Sequence, residues 1–189
     1  MTTDTSTLTG IPGYVAGTWS IDPVHSDVGF TARHMMVSKV RGKFRTFSGE
    51  LVTGDNPLDS SVTAEIDLSS IDTGNEQRDA HIRSADFFEV ETYPTMTYRS
   101  TGVRQDGDVY ILDGDLTLKG VTKQVELALE LNGFGPDAYG GTRAGFTAIG
   151  DINRRDFGVN FTAIMETGGA VVSDKITIQL EIEAVLQQS

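Results

Sequence analysis

Three histidines, His25, His34 and His81, are the side chains best suited to proton or metal chemistry near neutral pH, and all lie in the first half of the chain. Three imidazoles meeting at one point would make an open-sided zinc or iron centre. No local ligand spacing such as HxH or HExxH supports one. His25 and His34 flank a single strand-like run, His25-Ser-Asp-Val-Gly-Phe-Thr-Ala-Arg-His34. Nine residues of strand span about 30 Å, so these two share an ion only if the segment folds back on itself. His34 has the parity of Val28, Phe30 and Ala32, the apolar face, whereas His25 has the opposite parity. The expectation is a hydrogen-bonded structural role for each histidine, with neither metal nor cofactor. The chemical alternative is a metal-dependent or acid–base enzyme that joins His34 and His81 to Arg78 and Asp79.

His81 belongs to residues 73–94, TGNEQRDAHIRSADFFEVETYP, which break an otherwise strand-like chain. Thr73 or Asn75 can cap a short helix, Glu76 falls in its first turn and Arg83 near its end, in agreement with the helix macrodipole. Gln77 and His81 share one face, as do Arg78 and Ile82. Ala85, Phe87 and Phe88 then form an apolar plug. A helix followed by paired phenylalanines suits a lid over a cavity as well as a stopper, with Arg78 and Asp79 in structural ion pairs.

Three basic clusters stand apart: Arg41-Gly-Lys-Phe-Arg45, Lys119-Gly-Val-Thr-Lys123, and Asn153-Arg-Arg-Asp-Phe-Gly158. Each has the donors to hold an anionic headgroup such as a diphosphate, and each also reads as a solvated turn or an Asp–Arg staple. Gly158 calls for unusual backbone geometry. There is no cysteine, no Gly-x-Ser-x-Gly elbow and no phosphate loop, which removes the commonest nucleophile and nucleotide enzymes.

The elements that must position these groups are strands. Ile176, Ile178, Leu180, Ile182 and Ala184 alternate with polar residues. So do Val62, Ala64, Ile66 and Leu68; Leu112, Leu116 and Leu118; Val125, Leu127, Leu129 and Leu131; and Ala144, Phe146 and Ala148. A period of two places one face in a core and one in water, the mark of antiparallel sheet. Turns are expected at Gly54–Pro57, Asp106–Asp108, Gly133–Gly141 and Thr167–Gly169, which leaves eight or nine strands. Long strands, even spacing and one polar face predict an all-β, eight-stranded antiparallel up-and-down barrel with a short helix in 73–94.

At 189 residues the chain is read as a mobile tail, 1–13, and one domain, 14–189. A formal charge of −12 argues against nucleic acid and against adhesion to an anionic membrane surface. No run of residues is apolar enough to span a bilayer or to form a signal-peptide core, so a soluble cytoplasmic protein is expected.

Taken in order, several blocks resemble the YceI family of lipocalin-like, polyisoprenoid-binding proteins. They are Trp19-Ser-Ile-Asp-Pro-Val-His-Ser26, Val28-Gly-Phe30, His34, Gly42-Lys-Phe44 and Phe47-Ser-Gly49. Next come Ile71-Asp-Thr73, Arg78-Asp-Ala-His-Ile-Arg-Ser84, Asp86-Phe-Phe88 and Tyr93-Pro94. Gly114-Asp-Leu-Thr-Leu-Lys-Gly-Val-Thr-Lys123, Asn153-Arg154, Asp156-Phe-Gly158 and the strand after Ser173-Asp174 complete the set. The resemblance runs from about Tyr14 to Leu186 and implies an apolar barrel cavity that holds a polyisoprenoid, a prenyl-quinone or a similar lipid without catalysis. It also implies a homodimer. Under it the ligand-binding candidates are Phe30, His34, Phe44, Ile82, Phe87, Phe88 and Met96 on the wall, with Arg78 and His81 for a polar headgroup. A barrel filled by its own side chains, acting as an interaction module, is the other alternative.

Overall fold

The computed structural model describes residues 9–35, 37–163 and 172–188. Its strands are β1 (Gly17–Ile21), β2 (Asp27–His34), β3 (Ser38–Phe44), β4 (Phe47–Thr53), β5 (Ser61–Asp67), β6 (Ile71–Asp72), β7 (Thr95–Asp106), β8 (Val109–Leu118), β9 (Val121–Pro136), β10 (Thr142–Asn153) and β11 (Lys175–Leu186); the helix α1 spans Glu76–Arg83. Every pairing is antiparallel, and the order β1-β4-β5-β7-β8-β9-β10-β11 closes on itself through β1–β11. That ring is the expected eight-stranded barrel.

The remaining segments extend staves of the same ring. β11 pairs with β1 through Ala184–Leu186 and with β2 through Thr177–Glu181, so β1 and β2 form one long strand kinked at Asp22–Ser26. β3 continues into β4 across Arg45-Thr46, and β5 into β6 across the 3-10 turn Leu68–Ser70. Leu68 therefore leaves the strand predicted for it: Asp67 Oδ1 accepts from the Ser69 amide and turns the chain, and Leu68 is fully buried in that turn.

Alternation faces the lumen as expected. Val28, Phe30, Ala32 and His34 of β2, Val125 through Leu131 of β9 at odd positions, and Ile176 through Ile182 of β11 at even positions all line the interior. Their neighbours Glu126, Glu130, Gln179 and Glu181 are exposed. Polar outside and apolar inside is the reverse of a lipid-facing barrel. No described helix is long and apolar enough to cross a membrane.

One turn differs from expectation. β9 runs through Gly133 to Pro136, because a bulge opposite Gly145–Phe146 absorbs Asn132 and keeps the ladder going; the turn is confined to the residues between Pro136 and Thr142. The predicted turn at Thr167–Gly169 lies outside the described residues. Gly158 has φ +72°, left-handed as expected, and closes the 3-10 turn Arg154–Phe157.

The two ends of the barrel are finished differently. At one end Trp19 is fully buried, and its indole nitrogen donates to Thr53 Oγ1 at 2.8 Å. Phe134 packs against Tyr14, Trp19 and Phe146, with centroids 5.2, 5.7 and 5.9 Å away. Tyr14 donates to the Gly54 carbonyl at 2.6 Å, and its burial raises the phenol pKa. At the other end β3 has a strand partner on its outer edge only at Lys43 and Phe44. Residues 73–94 occupy the gap between that edge and β7.

Candidate functional site

Asn75 starts α1 by accepting from the Arg78 amide at 2.9 Å, the second of the two caps the sequence allowed. Thr73 organises the loop before it. Its amide donates to Asp79 Oδ1 at 2.9 Å, while Arg78 Nε donates to the Thr73 hydroxyl at 2.8 Å and Nη2 to its carbonyl at 2.7 Å. Arg78 and Asp79 are thus both tied to Thr73, and among the described residues neither forms an ion pair, a correction to the structural ion pairs expected for them. Asp79 is buried, where a carboxylate needs such donors.

Inside the ring is a cavity of about 870 Å³, at the large end of small-molecule sites. Its wall is aliphatic and aromatic for most of its length, from Tyr14 and Phe134 near the closed end to Val172 and Phe161 near the mouth. All nine residues picked from the sequence stand on this wall: Phe30, His34 and Phe44 from β2 and β3, Arg78, His81 and Ile82 from α1, Phe87 and Phe88 after it, and Met96 from β7. Phe30, Phe44 and Phe88 form a line of rings with centroid separations of 5.8 and 6.1 Å. The first needs Gly42 opposite, since a β-carbon there would collide with the Phe30 ring.

At the mouth His81 is ringed by Phe87 and Phe161 at 5.1 and 4.9 Å, edge to face. Its Nε2 lies 2.8 Å from Asp86 Oδ2. Phe161 and Arg154 were not anticipated, although the basic block at 153–158 marked the neighbourhood. Arg154 is buried and also lines the cavity. Its Nη1 donates to the Val159 and Phe161 carbonyls at 2.8 and 2.7 Å, and Nε to the Ser173 carbonyl at 3.1 Å. Nη2 lies 3.3 Å from Asp174 Oδ1 without hydrogen-bond geometry. Burial pulls the Arg154 pKa below the usual guanidinium value, partly offset by Asp174. The expected Asp156 staple is absent, because Arg155 also turns to Asp174, at 2.8 Å.

The three histidines do not gather. His34 bridges to Val172 at the mouth, His81 pairs with Asp86, and His25 lies at the β1–β2 kink with Nδ1 2.8 Å from Asp22 Oδ2. Among the described residues the one cluster with metal-like spacing is Asp22, His25 and Glu183. A cation is already there: Arg143 Nη1 lies 2.8 Å from both Asp22 Oδ2 and Glu183 Oε2, and Nε lies 3.1 Å from Asp137 Oδ2. The Arg143 hydrogen bond, followed by His25, holds the Asp22 carboxyl far below its ordinary pKa. This is a structural clamp at the kink.

The barrel is hollow, its lumen is mostly apolar, and its arginines and histidines collect at one mouth; that defines a lipocalin-like barrel with an apolar cavity. The YceI-like domain model matches residues 19–184, and the chain belongs to that family. Protein YceI of Escherichia coli O157:H7 is 38% identical over 177 residues, covering 92% of this chain and 90% of that protein. The crystal structure of BcnA from Burkholderia cenocepacia matches with a TM-score of 0.76 at 24% identity, over 86% of this chain and 98% of that one. A polyisoprenoid-binding domain from Saccharophagus degradans, implicated in plant cell wall breakdown, matches with a TM-score of 0.67 at 18% identity, over 89% and 98%. The last two likenesses establish the fold.

Proposed function

We propose that the protein is a non-catalytic carrier that holds one long apolar lipid, a polyisoprenoid or a prenyl-quinone, along the barrel axis. The observation that carries this is the 870 Å³ cavity with its nearly unbroken apolar wall. Association costs roughly 4–15 kcal/mol, and burial returns about 0.8 kcal/mol per CH₂. A ligand held mainly by such a wall therefore needs roughly five to twenty buried carbons merely to offset that cost, and more to bind tightly. That selects a long chain over a compact metabolite. Arg78 and His81 stand where a polar head would rest, with Phe30, His34, Phe44, Ile82, Phe87, Phe88 and Met96 along the tail. The name of the Saccharophagus degradans neighbour agrees with an isoprenoid guest. In this reading the carrier works as a cytoplasmic homodimer, which light scattering and fractionation of the native host test.

The decisive experiment is mass spectrometry of an organic extract of protein purified from its native host, with elemental analysis of the same sample. One prenyl lipid per chain is the expected result. An empty barrel with one zinc or iron per chain would sink the proposal. Ala32 lies on the cavity wall, and Ala32→Trp should give a folded protein that no longer retains lipid.

A further inference from the structure

The formal charge of −12 averages over an uneven surface. Between Asp27 and Glu50 there is no acid, and there are five bases: Arg33, Lys39, Arg41, Lys43 and Arg45. The β2–β3 hairpin turns its even-numbered side chains to the lumen, so these odd-numbered bases alternate to its outer face; all are exposed, and Arg33 also borders the cavity mouth. Arg33 sits directly opposite Lys39 across the ladder, with Arg41 opposite Thr31 and Lys43 opposite Gly29. Like charges paired across a ladder cost stability. Arg45 pairs with Asp72. Among the described residues no carboxylate lies within ion-pair distance of Arg33, Lys39, Arg41 or Lys43. Of the neighbouring acids, Asp72, opposite Lys43 on the β3–β6 ladder, is engaged by Arg45, Asp151 by Lys175 and Asp174 by Arg155.

Beyond the charged rows the hairpin ends in apolar side chains. Val37 is 85% exposed and Met35 41% exposed, and Met35 is held in left-handed backbone with φ +53°. His34, one residue before this tip, lines the cavity mouth. The opposite end of the barrel has acids in its turns, Asp55, Asp59, Asp106, Asp108 and Asp137. At the mouth end exposed acids also occur, but on other elements than the hairpin: Glu76, Asp86 and Glu91 on and after α1, and Asp151 and Asp156 around the end of β10.

We propose that the β2–β3 hairpin docks the barrel, mouth first, on an anionic phospholipid bilayer. The bases lie against headgroups and Met35 and Val37 enter the interface, with the acid-bearing turns of the far end directed away from it. A bilayer meets a protein as charge first and hydrocarbon beyond it, which is the order of groups along this hairpin. A protein interface instead places its apolar groups at the centre of a polar rim. The proposal rests on the carrier reading only for what passes through the mouth, since surface binding does not require cargo.

The test is flotation of the full chain with phosphatidylcholine vesicles, with and without about a third phosphatidylserine, at ionic strengths near 0.1 and 0.5 M. Binding should need the anionic lipid and fall at high salt. Each base near the surface is worth about fivefold, so the triple variant Lys39→Gln, Arg41→Gln, Lys43→Gln should bind roughly 100-fold more weakly. Val37→Asp should weaken binding further while the protein's circular dichroism and extractable lipid stay unchanged. Equal binding to neutral vesicles, or a triple variant that binds like the parent, would overturn the proposal. So would absence of vesicle binding together with salt-sensitive capture of an acidic protein or of a second copy. If the parent floats but yields no lipid on extraction, the carrier reading fails and the docking surface stands.

Discussion

The closed end and the mouth of this barrel solve the same problem with opposite materials. At the closed end Trp19, Phe134, Phe146 and Tyr14 fill the space with rings drawn from the N-terminal segment and from β1, β9 and β10. At the mouth the strands stop short, and the filling comes from connections: α1, the phenylalanines after it, and the chain following β10. Those connections carry little regular structure, so polar staples centred on Thr73, Asp79 and Arg154 hold them. Packed rings finish one end, whereas hydrogen-bonded connections cover the other, where local opening breaks fewer apolar contacts.

Substitutions should separate the two. Trp19→Ala removes the fully buried anchor of the closed end and should cost about 3–5 kcal/mol, measured by urea unfolding followed by circular dichroism. Arg154→Met strands three carbonyls at the mouth and should cost about 1–3 kcal/mol. Its hydrogen exchange should accelerate at 159–163 and 172–174 while amides around Trp19 keep their protection; equal acceleration at both ends would erase the distinction. Asn75→Ala should cost about 1 kcal/mol and speed release of a fluorescent lipid without changing how much is held. The smallest effect is on the acid side. Asp22 has a depressed pKa through Arg143 and His25, so its contribution is complete above about pH 4, the ordinary carboxyl value, and is lost as pH falls below it. Arg143→Met should therefore lower stability at pH 7 and flatten its decline below pH 4, as thermal melts across that range would record.

The barrel was legible because strand periodicity is a local property: parity alone put Phe30, Ala32 and His34 on the wall. The cap at Asn75 and the left-handed Gly158 were legible for the same reason, since turn chemistry acts over a few residues. Long-range partnerships were not. Nothing within a few residues of Arg143 points to Asp22 or Glu183, which are 121 and 40 positions away. Arg154 reads as a surface base beside Asp156 until the fold brings Val159, Phe161 and Ser173 around it. Leu68 kept strand parity in the sequence yet belongs to a turn, because Asp67 captures the next amides. The hairpin bases were visible, but a net charge summed over the whole chain concealed their isolation.

The gap beside β3 has one more consequence. From Ser38 to Gly42 the wall on that side is a seam of side chains, with no strand ladder joining it to β7. Parting a seam breaks packing contacts, whereas parting a ladder would leave paired amides and carbonyls bare. If the proposed carrier role holds, a guest many carbons long need not thread a narrow hole end-on; it could be laid in sideways, as a cord is pressed into a slotted sleeve, with the rest of the tube left intact.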